Sequence, residues 1–357
     1  MSNYIEFNNK IAFHPGYYIK EYIDELELTQ EDFAYRLGTT PKNLSIIING
    51  EQSISTDIAM KLSKLIETTP EFWLNLQIAY DKLKYELDNQ LEIENEIEIL
   101  KTLNYAYFRD YYNLPNLNKK IVEQVNEVRK FLKVSSLTVL KKENINVRFR
   151  KAKLENSESS AIKANAMIQI ATNFSQAKKV FPKYDKKKFM ESVEFALTLT
   201  DKHSEFHSLI KEHFKEAGVD LIILPNIPGS KINGATKVIG NHIMLMIDDR
   251  NNNADSFWFT MFHEIGHIIN GDYGISFEGD SGEIEDKANS YAENKLINPN
   301  DYACFVKKGI FTIQSVYNFA KKINRDPGIV VGRLQKDNYI RYNDNRFNSF
   351  RRKYSFK

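Results

Sequence analysis

The sequence predicts an α+β chain that is mainly α. A five-helix N-terminal bundle leads into a helical linker, then a domain with one small β-sheet, then a C-terminal helical segment. Three observations carry this. Apolar residues recur at three and four spacing from Pro15 to about Glu86, the helical period. The β-branched run VDLIILPNI and the stretch GATKVIGNHIMLMID, divided by Gly240-Asn241, fall close together; they read as a buried strand and a hairpin. Helical patterning resumes with NADSFWFTMFHEIGHIING and continues to about Gln335.

A chain of 357 residues exceeds one ordinary domain. The expected division is 1–86, 87–200, 201–300 and 301–357. No apolar stretch approaches the roughly 20 residues of a membrane span. Residues Met1–Lys10 lack the order of a secretion signal, and Cys304, the single cysteine, has no internal partner. The expectation is a cytoplasmic protein with no membrane partner. Net charge is +2, which neither demands nor excludes nucleic acid. Residues 1–86 hold 8 Lys/Arg against 13 Asp/Glu, so DNA binding there relies on local placement; the last 17 hold 6 basic residues against Asp344 alone.

In the first part, LTQEDFAYRLGTTPKNLSIIINGEQSIS has the form of a helix-turn-helix. Thr29 caps a helix with Phe33, Ala34 and Leu37 inward, Gly38 permits the turn, and Thr40-Pro41 starts a second helix with Leu44 and Ile47 inward. Ile54, Ile58, Leu62 and Leu65 complete the bundle. The pattern resembles the phage-repressor-like (lambda-repressor-like, XRE) class, and more closely the HigA-type antitoxins, which continue as here with PEFWLNLQIAYDKLK. In such a unit the second helix enters the major groove. Thr40, Lys42, Asn43 and Ser45 are candidates for phosphate or base contacts, Ile46 for a thymine methyl, and Gln30 for a phosphate. Such readers work as dimers, so a homodimer on operator half-sites is expected.

The middle segments LEIENEIEILKTL and NKKIVEQVNEVRKFL are amphipathic, and the basic run AKKVFPKYDKKKF reads as a solvated helix start. A helix near Ser204–Ala217 precedes the strands. The strand NGATKVIG is a candidate edge for an extended peptide by β-addition.

The helix that follows carries HExxH: His263, Glu264, His267. Residues four apart stack on a helix, so both imidazoles reach one Zn2+ ion, and Glu264 beside them takes the proton of the water it activates. The helix is otherwise apolar nearly all round, so these groups are buried where unpaired ionisable groups are costly. Gly266 costs about 1 kcal/mol against alanine, which suggests that something packs close. A third ligand has to come from elsewhere. The metzincin positions hold Asn270 and Tyr273 instead of glycine and histidine, so the next helix, GEIEDKANSYAENKLINP, is the source. Glu285 is the favoured ligand, with Asn289 one turn on as hydrogen-bond partner of a histidine; Glu283 and Glu293 are rivals. Ala288 and Ala292 leave room for close helix contact. His242, Tyr273 and Arg333 are candidates to hold the oxyanion.

FWFTMFHEIGHIING followed by EDKANSYAENKLINP resembles the ImmA/IrrE zinc metallopeptidases, over roughly residues 205–345. Asn298 departs from the usual proline or methionine at the helix end. The resemblance implies a zincin-like domain with His263, His267 and Glu285 as zinc ligands and Glu264 as base. It also implies a substrate among helix-turn-helix repressors. Two functions follow: a DNA-bound regulator that cleaves a repressor-type protein, or itself between residues 87 and 200; or an antitoxin-type autorepressor that neutralises a small toxin by binding.

Overall fold

A computed structural model of the chain describes residues 3–142, 158–178, 180–204, 206–250, 253–277 and 279–354. By contacts the chain divides into two units, Met1–Asn95 and Glu96–Lys357.

The first unit opens with a hairpin that the sequence reading did not anticipate, β1 (Tyr4–Phe7) and β2 (Lys10–Phe13). Asn8 and Asn9 turn it at φ 49° and 59°, the left-handed conformation that two-residue hairpin loops require. Five helices follow: α1 (Pro15–Glu25), α2 (Gln30–Leu37), α3 (Pro41–Ile48), α4 (Thr56–Leu65) and α5 (Pro70–Leu103). Each start has a local cause. Thr29 accepts from the Asp32 amide, Thr40 from Asn43 and Ser55 from Ile58, satisfying donors that a helix start otherwise leaves orphaned. Gly38 closes α2 at φ 66°, and a Cβ on Gly16 would stand 2.1 Å from the Ile47 carbonyl oxygen, so α1 crosses α3 in backbone contact. Ile19, Phe33, Leu44, Ile47, Leu62 and Trp73 are fully buried between these helices.

Helix α5 passes Glu86 without interruption, and the division falls inside it, after Asn95, whereas composition suggests a boundary at 86. The reason is chemical: Glu96 is wholly buried, pairs with Arg129 and accepts from the Leu137 amide. Residues 96–200 therefore belong to the second unit and do not form a separate linker. They contribute α6 (Tyr105–Tyr112), α7 (Ile121–Leu132), α8 (Glu158–Gln176) and α9 (Lys186–Leu197, capped by Asp185). Residues 143–157, inside the segment expected to be open to self-cleavage, lie outside the described residues.

Next come α10 (Phe206–Glu216), β3 (Val219–Leu224), β4 (Ile232–Ile239), β5 (His242–Asp248), α11 (Ala254–Asn270), β6 (Ile275–Phe277) and α12 (Glu283–Leu296). The four strands order as β3-β5-β4-β6, with β3 parallel to β5 and the other pairs antiparallel. Both sheet faces are covered. Val219, Leu221, Ile243, Leu245 and Ile247 join α10 and α11 in one core, while His242 on the alternate face meets Ser175 of α8. Cover on both sides explains the unbroken apolar runs. Strand β6 pairs with Ile232–Ala235 of β4, so the expectation of an open β4 edge fails over that stretch.

The chain ends with α13 (Pro299–Val306), α14 (Ile313–Lys322) and α15 (Pro327–Lys336). The basic tail then docks on the start of α11: the Ala254 amide donates to the Arg352 carbonyl at 2.8 Å, and the Trp258 indole to the Tyr354 hydroxyl at 2.9 Å. Among the described residues no helix is long and apolar enough to cross a membrane.

Candidate functional sites

Helix α11 is apolar on nearly every side and buried over most of its length, so the three ionisable groups of its HExxH stretch meet protein and not solvent. Glu264 and His267 are 0 % exposed, Glu285 4 % and His263 8 %. Gly266 lets α12 come close: a Cβ there would lie 3.2 Å from the Ala288 Cα, with Ala288 and Ala292 fully buried. That approach brings Glu285 to the two histidines.

The three side chains form one cluster. His263 Nε2 stands 3.0 Å from His267 Nε2 and 3.2 Å from Glu285 Oε2, and His267 Nε2 stands 3.7 Å from Glu285 Oε1. Around a tetrahedral zinc with bonds of about 2.0–2.1 Å, neighbouring ligand atoms sit roughly 3.3 Å apart. The donor set, two imidazoles and a carboxylate, fits that ion in kind and in spacing. On the far side of His263, Nδ1 lies 3.0 Å from Asn289 Oδ1. An amide oxygen only accepts, so Nδ1 carries a proton and Nε2 is the nitrogen that faces the cluster. Burial pulls the His263 imidazole down, yet the bond to Glu285 and the charges of Glu264 and Glu285 outweigh it, holding it above its ordinary value.

Glu264 is buried, and neither of its carboxylate oxygens meets a hydrogen-bond donor among the described residues. A carboxylate left so in a packed interior is costly unless it has chemistry to do. It lies against Gly234 of β4, where a Cβ would fall 2.7 Å from its carboxyl carbon. The rival carboxylates are elsewhere. Glu283 pairs with Lys287 at 2.7 Å, and Glu293 pairs with Arg333 at 3.0 Å and with Lys336.

Two of the three expected oxyanion groups are otherwise engaged. His242 bonds Ser175 at 2.8 Å on the opposite sheet face. Arg333 is held by Glu293 and Asp337; Tyr273, half-buried against the main core, stays a candidate. What sequence reasoning missed is Asn233, at an irregularity in β4: Ile232 pairs with Phe277 and Gly234 with Ser276, leaving Asn233 as an extra residue. Only the pairing with the three-residue β6 reveals it.

In the first unit, Gln30, Thr40 and Lys42 are exposed, and Asn43, Ser45 and Ile46 half-buried, at the start of α2 and along α3. The Thr40 hydroxyl caps α3, and the Asn43 amide nitrogen donates to Thr39 Oγ1 at 2.9 Å while its oxygen accepts from Gln52 at 3.4 Å. Asn43 is thus partly committed inside the unit; Lys42 projects outward.

A helix-turn-helix family model matches residues 19–73. An uncharacterized HTH-type transcriptional regulator, YbaQ of Escherichia coli, is 32% identical over 83 residues, 23% of this chain and 72% of that protein. The antitoxin HigA-1 of Vibrio cholerae is 34% identical over 61 residues, 17% of this chain and 57% of its own. A solved HigA-family antidote protein from Coxiella burnetii is 38% identical, covering 24% of this chain and 92% of its own, with a TM-score of 0.22.

Proposed function

The chain belongs, through its N-terminal unit, to the helix-turn-helix family of transcriptional regulators, and on that premise we propose that it is an operator-binding repressor of antitoxin type whose second unit is a zinc-dependent endopeptidase. DNA reading is supported by the turn at Gly38 and by the outward start of α3, where Lys42 meets phosphate. A homodimer on paired half-sites suits such a reader.

The hydrolytic reading rests on one observation: His263, His267 and Glu285 converge while the adjacent Glu264 carboxylate is buried without a donor. When bound by these three side chains, zinc supplies Lewis acidity at a peptide carbonyl and activates water. Glu264 takes the proton from the attacking water and passes it to the departing amine. Asn289 fixes the tautomer and ring plane of His263. A helix-turn-helix repressor, or the chain itself, is the proposed protein substrate.

The second reading, neutralisation of a small toxin by binding, is favoured by the HigA-1 relative. Full-length protein separates the two. On the hydrolytic reading, purified wild type carries zinc and cuts a candidate repressor, and Glu264→Gln keeps the metal but loses cleavage. Wild type that carries no zinc ends the enzyme and leaves the antitoxin.

A further inference from the structure

Beside the cluster lies a recess of about 700 Å³. The three elements of the proposed metal centre line this recess together with α15, each from a position within about one turn of a residue of the centre. Phe259 and Thr260 line it from α11, one turn before His263; Glu293 from α12, one turn after Asn289; Asn233 from β4, next to the Gly234 that abuts Glu264. The Phe259 and His263 ring centroids are 6.3 Å apart. Leu296 and Ile329 give the recess an apolar lining, and its volume falls in the range of about 300–1,000 Å³ typical of ligand sites.

Asn233 is the one carboxamide that the β4 irregularity places at this recess. Its Oδ1 accepts from the Arg250 guanidinium at 2.6 Å. A guanidinium only donates, so Arg250 takes the oxygen end of the carboxamide and leaves the NH2 end, which meets no acceptor among the described residues, as the donor group. Bulges are common beside active sites, where they re-aim a side chain.

We propose that the recess is the substrate-binding pocket, seating a bulky apolar side chain of an extended peptide, and that Asn233, oriented by Arg250, is a positioning residue that donates to the peptide backbone next to it. This rests on the hydrolytic reading above for its purpose, but the binding itself is separable. The Glu293–Arg333–Lys336 ion pairs close one side of the recess, and the Asp255 carboxylate, which also lines it, disfavours an acidic side chain entering beside it.

The test uses full-length Glu264→Gln protein and fluorescein-labelled alanine-rich peptides carrying Phe, Leu, Ser or Asp at one position, with binding read by anisotropy. Phe and Leu peptides bind more tightly than Ser and Asp. Adding Asn233→Asp keeps an acceptor for Arg250 but removes the N–H donor; it weakens every peptide about tenfold, the order expected of one hydrogen bond in a desolvated site, and leaves zinc content unchanged. Adding Thr260→Trp fills the recess and abolishes the preference for Phe and Leu. In the active background Asn233→Asp raises KM more than it lowers kcat. Equal binding of all four peptides, or Asn233→Asp binding like its parent, overturns the proposal. Zinc-free wild type that still shows the apolar preference and the Asn233→Asp loss rejects the hydrolytic reading alone.

Discussion

His263 Nδ1 and Asn289 Oδ1 lie 3.0 Å apart across two helices, and this contact decides which imidazole nitrogen faces His267 and Glu285. Removing the acceptor frees the ring to take the other tautomer. Asn289→Ala is expected to weaken zinc binding about 10- to 100-fold, read by competition with a chromogenic chelator. Asn289→Asp, which still accepts, retains most of the affinity.

Gly234 sets the position of Glu264. An alanine there puts its Cβ 2.7 Å from the Glu264 carboxyl carbon, and the flexible carboxylate has to move. Zinc content stays, while cleavage falls about a hundredfold, the usual consequence of a displacement near 1 Å at a reacting group. Wild-type turnover by Gly234→Ala would show that Glu264 has slack and needs no fixed seat.

Much of this centre was readable from residue order, and the reasons are local. His263, Glu264 and His267 sit on one helix, so their spacing alone states their geometry, and Gly266, Ala288 and Ala292 announce the close contact that brings in Glu285. The caps Thr29 and Thr40 and the left-handed Gly38 made the helix-turn-helix legible in the same way. Asn233 was not legible, because its role depends on a partner strand of three residues, Ile275–Phe277, too short to show a period. Nor was the inclusion of residues 96–200 in the second unit, which turns on Glu96 meeting Arg129 and Leu137; amphipathic patterning shows that a helix has an apolar face but not what covers it. The Asn8-Asn9 pair is a turn signal between two short strands, legible in residue order alone.

The Trp258 indole donates to the Tyr354 hydroxyl at 2.9 Å, holding the C-terminal tail on the first turns of α11. Tyr354→Phe keeps the ring packing among Phe206 and Phe257 but leaves a buried N–H without its acceptor. That costs about 1–3 kcal/mol, measured as a lower midpoint in urea unfolding.

In the reading unit, Lys42 is exposed at the start of α3; on the proposed operator-binding reading it meets phosphate, so Lys42→Ala should weaken binding to every operator sequence alike and reduce the slope of log K against log salt by about 1. Ile46→Ala acts differently, relaxing preference at one base pair by about 1 kcal/mol or more. Identical salt slopes for wild type and Lys42→Ala would remove Lys42 from the interface.

Asp248 ends β5 with its carboxyl buried, and that burial pushes it up to about 7, against partial compensation from the Arg250 amide and guanidinium. An acid raised on folding binds its proton more tightly in the native state than in the unfolded one. Its contribution to stability is therefore fully present below the unfolded value near 4 and is lost as pH rises towards 7. A carboxamide in place of this carboxyl group carries no such charge to bury, and its oxygen still accepts from the Arg250 amide. Asp248→Asn should then stabilise the second unit at pH 8 by on the order of 2 kcal/mol and have little effect at pH 4. The difference between the two pH values, read from urea midpoints, isolates the ionisation from any change in packing, because packing changes act equally at both. A variant whose advantage is the same at pH 4 and pH 8 would mean that water reaches this carboxylate and keeps it charged at little cost.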